Sequence, residues 1–260
     1  MIAPGFAEFE GQMWIWLMAI IRPGAAMVVA PIFGAANVPV QIRILLSFMI
    51  GMVATSSVSF ELPTDTAITV GNSLFVMGEV VTGLAIGFAL QLGYSSVLIA
   101  GETISNAMGL GFASMSDPQT GQSTPVIGQF LTIFATLLLL AIDGHLLLIA
   151  IIVKSYAALP PGFAMMGADM LYSIVQFGGT LFSMGLLIAL PVGGALILVQ
   201  IMMGFLARTA PALNLFAVGI PVTITVGLVA LAVTAPIIGD AVIRALGMGL
   251  DQATLITGGV

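Results

Sequence analysis

The sequence predicts an all-α, polytopic membrane protein of long, kinked helical hairpins with a re-entrant or plug loop. Three observations carry this. Of 260 residues, 60% are hydrophobic and 6% are charged, whereas a soluble domain carries about 25% charge. Mean hydropathy is +1.21. Six apolar runs divide the chain, and a bilayer core needs about 20 residues to cross.

The first run covers residues 13–33, with Arg22-Pro23-Gly24 inside it, which predicts a kink. Ala36-Asn37-Val38-Pro39 reads as a turn into a second run, 42–60, with Arg43 near its start. A polar break around Pro63 precedes run three, 67–100, which carries Glu79 and has no proline. Its length corresponds to roughly 50 Å of helix, so it is expected to project beyond lipid. Run four, 126–159, contains Asp143-Gly144-His145, a predicted break. Run five, 170–207, contains Pro191, a second predicted break. RTAPALN at 208–214 leads into run six, 215–238. The tail from Asp240 reads as mildly amphipathic and peripheral. No linker interrupts the runs, so residues 1–260 are expected to form one domain.

Composition excludes several functions. The net charge of −6, without a Lys/Arg run, argues against nucleic acid as a partner. There is no cysteine, hence no thiol chemistry. The opening MIAPGFAEFEG is acidic where a signal peptide would be basic, so the first run is expected to be retained. His145 is the only histidine, no His/carboxylate cluster has metal spacing, and no cofactor is expected. Catalysis is not indicated. Five basic residues give too little positive-inside signal to set orientation. With 31 glycines, including Gly83-x-x-x-Gly87, close helix contacts are expected, as in a subunit of an assembly or a compact transporter.

Glu79, Glu102 and Asp143 lie in or beside apolar runs, with Arg22 and Arg43 as possible partners. Two readings stand: a proton or ion relay, or hydrogen bonds to neighbouring helices and subunits. Arg208 suits the C-terminus of a helix, and Pro211 and Asn214 set the following turn.

The strip GLGFASMSDPQTGQSTP, from Gly109 to Pro125, lies polar and turn-rich between apolar runs. Asp117-Pro118 and Thr124-Pro125 can start turns or helices. Gly109, Gly111 and Gly121 permit backbone angles denied to other residues. Irregular backbone at membrane depth needs protein or a water-filled cavity around it, so the strip reads as a plug, a lumen lining or an aqueous loop. Met108 and Met115 could supply a deformable seal or ordinary packing.

AGETISNAMGLGFASMSDPQTGQSTPVIGQF at 100–130 resembles the signature of the FliR family of flagellar export-gate proteins. Stretches 30–47, 137–162 and 189–221 extend the resemblance over essentially the whole chain. It implies a core subunit of the flagellar type III protein export gate in the bacterial inner membrane, within the flagellar basal body. FliP-like and FliQ-like subunits would complete a helical pore with it, a FlhB-like subunit would join, and unfolded flagellar export substrates would pass through. On the resemblance, Gly109–Pro125 is the channel plug, with Phe112, Met115, Asp117, Pro118 and Gln119 at its centre. Asp143, Gly144 and His145 match a DGH motif, and Arg208, Pro211 and Asn214 match R-x-x-P-x-x-N, in structural or subunit-contact roles. Glu8, Glu10 and the acidic balance depart from the family pattern. An injectisome export-gate subunit, a proton-coupled transporter using Glu79 and Asp143, and a structural scaffold are the alternatives.

Overall fold

The computed structural model describes residues 4–57, 70–111, 126–161, 168–210 and 215–258. Of the expected site residues, Phe112, Met115, Asp117, Pro118, Gln119, Gly121, Pro125, Pro211 and Asn214 lie outside these. The described residues form helices joined by turns, with no strand among them: α1 (Pro4–Val29), α2 (Val40–Ser57), α3 (Val70–Ala107), α4 (Val126–Ala141), α5 (Gly144–Ala158), α6 (Ala168–Gly178), α7 (Thr180–Thr209) and α8 (Leu215–Ile256). Three stretches, Ser73–Ala107, Met170–Thr209 and Ala217–Ile256, are long and apolar enough to cross a membrane. The broken pair α4 and α5 would make a fourth.

The chain divides into two compact units. The first comprises residues 1–92, 143–178 and 247–260. In it α1 and α2 form a hairpin, and Trp16 meets Phe48 edge to face at 6.2 Å. Small residues set the helix spacing. A Cβ on Gly51 would lie 2.8 Å from the Ala19 carbonyl oxygen. Cβ atoms on Gly83 and Gly87 would collide with the carbonyls of Arg22 and Ala26, one turn apart on α1. The Gly83-x-x-x-Gly87 spacing therefore does bring α3 against the α1 backbone, as small-residue interfaces allow. Ala26, Met27, Ile86, Leu90, Leu148 and Ile152 fill the core.

The second unit comprises residues 93–142 and 179–246. Here α3 crosses α4 backbone to backbone, and a Cβ on Gly101 would collide with Gly128 Cα. Tyr94 Oη donates to the Thr132 carbonyl at 3.1 Å and lies 2.7 Å from Thr136 Oγ1. Gly185 of α7 sits on α3, where a Cβ would be 3.0 Å from the Ser96 carbonyl oxygen. Ile104, Leu131, Ala135, Ile188 and Leu196 are buried between these helices. Only 22% of the most apolar window of Met170–Thr209 and 11% of that of Ala217–Ile256 is buried. Those faces need cover from lipid or protein.

Helix α1 carries Pro23 in its interior. Two expectations need correction. Helix α7 continues through Pro191. The interruption in that run falls instead at Gly179, which keeps near-helical angles (φ −66°, ψ −28°). The tail from Asp240 is not peripheral. It continues α8 to Ile256 and buries Val242, Leu246, Leu250, Ala253 and Ile256, at spacings that keep one apolar face inward. The predicted break at Asp143 is present: Asp143 adopts left-handed angles, φ 54° and ψ 23°. Its carbonyl accepts from the amides of Leu146 and Leu147 at 3.0 Å, which starts α5.

Candidate functional site

Two arrangements gather polar groups inside this apolar chain. The first lies in the first unit. Arg22 on α1 is 0% exposed and Glu79 on α3 is 1% exposed. Arg22 Nε donates to Glu79 Oε2 at 2.8 Å and Nη2 donates to Oε1 at 2.8 Å. Two parallel bonds of this kind are the strongest geometry a guanidinium and a carboxylate can adopt. Arg22 Nη1 also donates to Ser155 Oγ at 3.0 Å, and Nη2 to the Leu159 carbonyl at 2.9 Å. Leu159 is the residue at which α5 ends, so the guanidinium takes up one of the carbonyls that every helix C-terminus leaves open. The Tyr156 ring lies 4.2 Å below the guanidinium carbon. Its hydroxyl donates to the Ala19 carbonyl at 2.9 Å.

Sequence reasoning named Arg22 as a possible partner of Glu79 and missed Ser155 and Tyr156. One signal was present. Pro23 leaves the Ala19 carbonyl without its intrahelical donor, so a donor had to come from elsewhere.

The second arrangement, in the second unit, is the end of α3 where the polar strip begins. Ala107 is the last helical residue. Gly109 has φ +81°; its amide bonds the Asn106 carbonyl at 3.0 Å, and the Leu110 amide bonds the Ser105 carbonyl at 3.1 Å. This is a Schellman ending with glycine at the left-handed position. The next two carbonyls are taken by side chains: Gln200 Nε2 on α7 donates to Ala107 at 3.1 Å, and Thr223 Oγ1 on α8 donates to Met108 at 2.9 Å. Met108 is fully buried, and a Cβ on Gly227 would come within 2.7 Å of its side chain. A cleft of about 310 Å³ opens beside this ending, lined by Asn106, Gly109, Gln200, Met203, Gly219 and Thr223 among others. Gln200 and Thr223 escaped sequence reasoning, because hydroxyl and amide groups in apolar runs carry no label of their partner. A Cβ on Gly111 would sit 2.7 Å from Asn106 Oδ1.

The remaining candidates are dispersed. Glu102 is exposed on α3, Asp143 is exposed at the α4–α5 break, and Arg208 is exposed in the last turn of α7. His145 is half-buried, with Nδ1 buried and without a hydrogen-bond partner. Arg43, the other cation considered for the carboxylates, instead donates from Nη2 to the Ala35 carbonyl at 2.6 Å. The pair of Arg22 and Glu79 is the ion pair found among the described residues, and no hydrogen bond there joins Glu79 to Glu102 or Asp143. Among the described residues no three His or carboxylate side chains converge.

Membrane-crossing helices packed on glycine, a buried ion pair and a pinned helix end before a polar strip define a polytopic all-α membrane protein. Its family follows from comparison with known proteins. Residues 13–248 match the family described as bacterial export proteins, family 1. The chain is similar to the flagellar biosynthetic protein FliR of Pectobacterium carotovorum, with 33% identity over 90% of this chain and 89% of that protein. The FliR proteins of Escherichia coli K12 (31%, 89% and 90%) and Bacillus subtilis 168 (33%, 86% and 86%) are similar to it as well. The chain belongs to the FliR family of bacterial export proteins and is a membrane-embedded component of the flagellar export apparatus.

Proposed function

We propose that this chain forms, with FliP-like and FliQ-like subunits, the channel through which unfolded flagellar subunits are exported, and that the strip from Gly109 to Pro125 gates it. The channel stands in the bacterial inner membrane at the flagellar basal body, and a FlhB-like subunit joins it. The chain is a conduit and performs no chemistry. The flagellar names of its relatives support this reading over an injectisome subunit.

The observation that carries the gating reading is the anchoring of the helix end from which the strip leaves. Every carbonyl from Ser105 to Met108 has a donor, two from the backbone and two from Gln200 and Thr223. A gate segment needs such a fixed stem, so that force on the strip is not spent unravelling the helix before it.

The chain has no cysteine, so Asp117→Cys gives it a single thiol of its own. Crosslinking from it to a stalled export substrate is expected. Failure at this position, with success from other subunits of the same complex, would sink the proposal. Shortening residues 114–122 should make the closed channel leak. Unchanged closure and export would favour a structural scaffold instead.

A further inference from the structure

Proline in a helix interior removes one amide donor and crowds the carbonyl four residues back, which ordinarily kinks the helix. In α1 those partners are Pro23 and the carbonyl of Ala19, and the helix extends on both sides of them, from Pro4 to Val29. Ala19 is 1% exposed, so water does not reach this carbonyl. In an apolar interior an orphaned carbonyl is costly. Its donor is the Tyr156 hydroxyl, from a helix 137 positions away in sequence, at 2.9 Å.

The surroundings hold that hydroxyl in place. The guanidinium of Arg22, the residue just before the proline, lies over the ring of the same tyrosine at 4.2 Å. Arg22 is itself fixed by Glu79, Ser155 and the end of α5. On the other side Gly51 presses against the Ala19 carbonyl, closely enough that a Cβ would stand 2.8 Å from the oxygen.

We infer that Pro23 is a hinge in α1 held shut by Tyr156, with the Arg22–Glu79 pair as the positioning element that keeps the phenol on the carbonyl. With the hydroxyl gone, α1 bends about residues 19–23 and its local hydrogen bonds open more often. The ring alone does not hold it, because packing supplies no donor.

The test is amide hydrogen exchange in the full-length chain in detergent micelles, read on peptides covering residues 15–29. Tyr156→Phe keeps the ring and the cation contact and removes only the hydroxyl. Exchange should speed up roughly fivefold, the factor one neutral hydrogen bond is worth. The decisive variant is the double change Pro23→Ala with Tyr156→Phe, which gives the Ala19 carbonyl back its own backbone donor. It should return exchange to the starting rate, and Pro23→Ala alone should slow it. Unchanged exchange in Tyr156→Phe would overturn the inference. So would fast exchange that persists in the double variant, since the phenol would then act through packing. Should Tyr156→Phe not fold, recovery of a folded chain in the double variant supports the hinge and continued failure overturns it.

Discussion

Replacing Glu79 with alanine is the sharpest probe of the buried cluster. The substitution takes two charge-assisted hydrogen bonds from Arg22, both at 2.8 Å, and leaves a fully buried guanidinium without its counter-charge. Bonds of this class contribute about 1.5–3 kcal/mol each, and breaking a buried pair from one side typically costs about 3–5 kcal/mol. Arg22 keeps Ser155, the Leu159 carbonyl and the Tyr156 ring, so the lower end applies, about 3 kcal/mol. At roughly 2–4 °C per kcal/mol for a chain of this order of size, the melting midpoint in detergent should fall by about 6–12 °C. The assay is the folded fraction surviving a heating series, read by size exclusion. The companion variant changes both Arg22 and Glu79 to methionine. With neither charge left to strand, it should lose about 1 kcal/mol or less, because apolar replacements of buried pairs are often neutral. A drop under about 2 °C for Glu79→Ala would refute the reasoning. A double variant as unstable as the two single changes summed would refute it too, since the residues would then contribute independently.

Four further outcomes follow from the packing and the helix ending. Gly83→Val drives a side chain into the Arg22 carbonyl; it should destabilise by about 3 kcal/mol or more, seen as loss of the folded peak in the same heating series. Gly193→Ala meets nothing within 4 Å inside α7 and should stabilise the isolated chain by about 0.5–1 kcal/mol, a control that separates glycine effects from steric ones. Gly109→Ala puts a Cβ on a residue at φ +81° and should lose about 1–2 kcal/mol. Thr223→Val, which strands the Met108 carbonyl, should lose a similar amount. Both should raise hydrogen exchange in residues 100–111.

Hydropathy alone located the helices, because a chain that must satisfy its backbone without water has few options but helix. The break at Asp143 was legible from its Asp-Gly pair, though not its left-handed angles, and the close contacts of Gly83 and Gly87 from their spacing. Proline misled at Pro191, where α7 continues, because a proline can sit inside a helix without ending it. The tail misled for a related reason: Asp240, Arg244 and Asp251 are polar, yet they share one exposed side of α8 while the opposite side is buried. The partner of Glu79 could not be chosen from sequence, because 57 positions separate it from Arg22 and only the packing of α3 on α1 closes that gap. The strip's chemistry was readable in its residues. Its anchorage was not, because Gln200 and Thr223 act through backbone carbonyls that any residue would present.

The crossing of α3 and α4 is lopsided in a way that bears on its history. A methyl group on Gly101 would collide with the Cα of Gly128, whereas one on Gly128 would meet the end of the Leu98 side chain at 3.4 Å and the backbone of Gly101 and Glu102 at 3.8 Å, all ordinary contacts. Of two glycines in mutual contact, one is therefore obligate and the other replaceable by something as small as alanine. Substitutions can accumulate at position 128 while position 101 stays frozen. A lineage that once changed 128 would find its neighbour no freer than before.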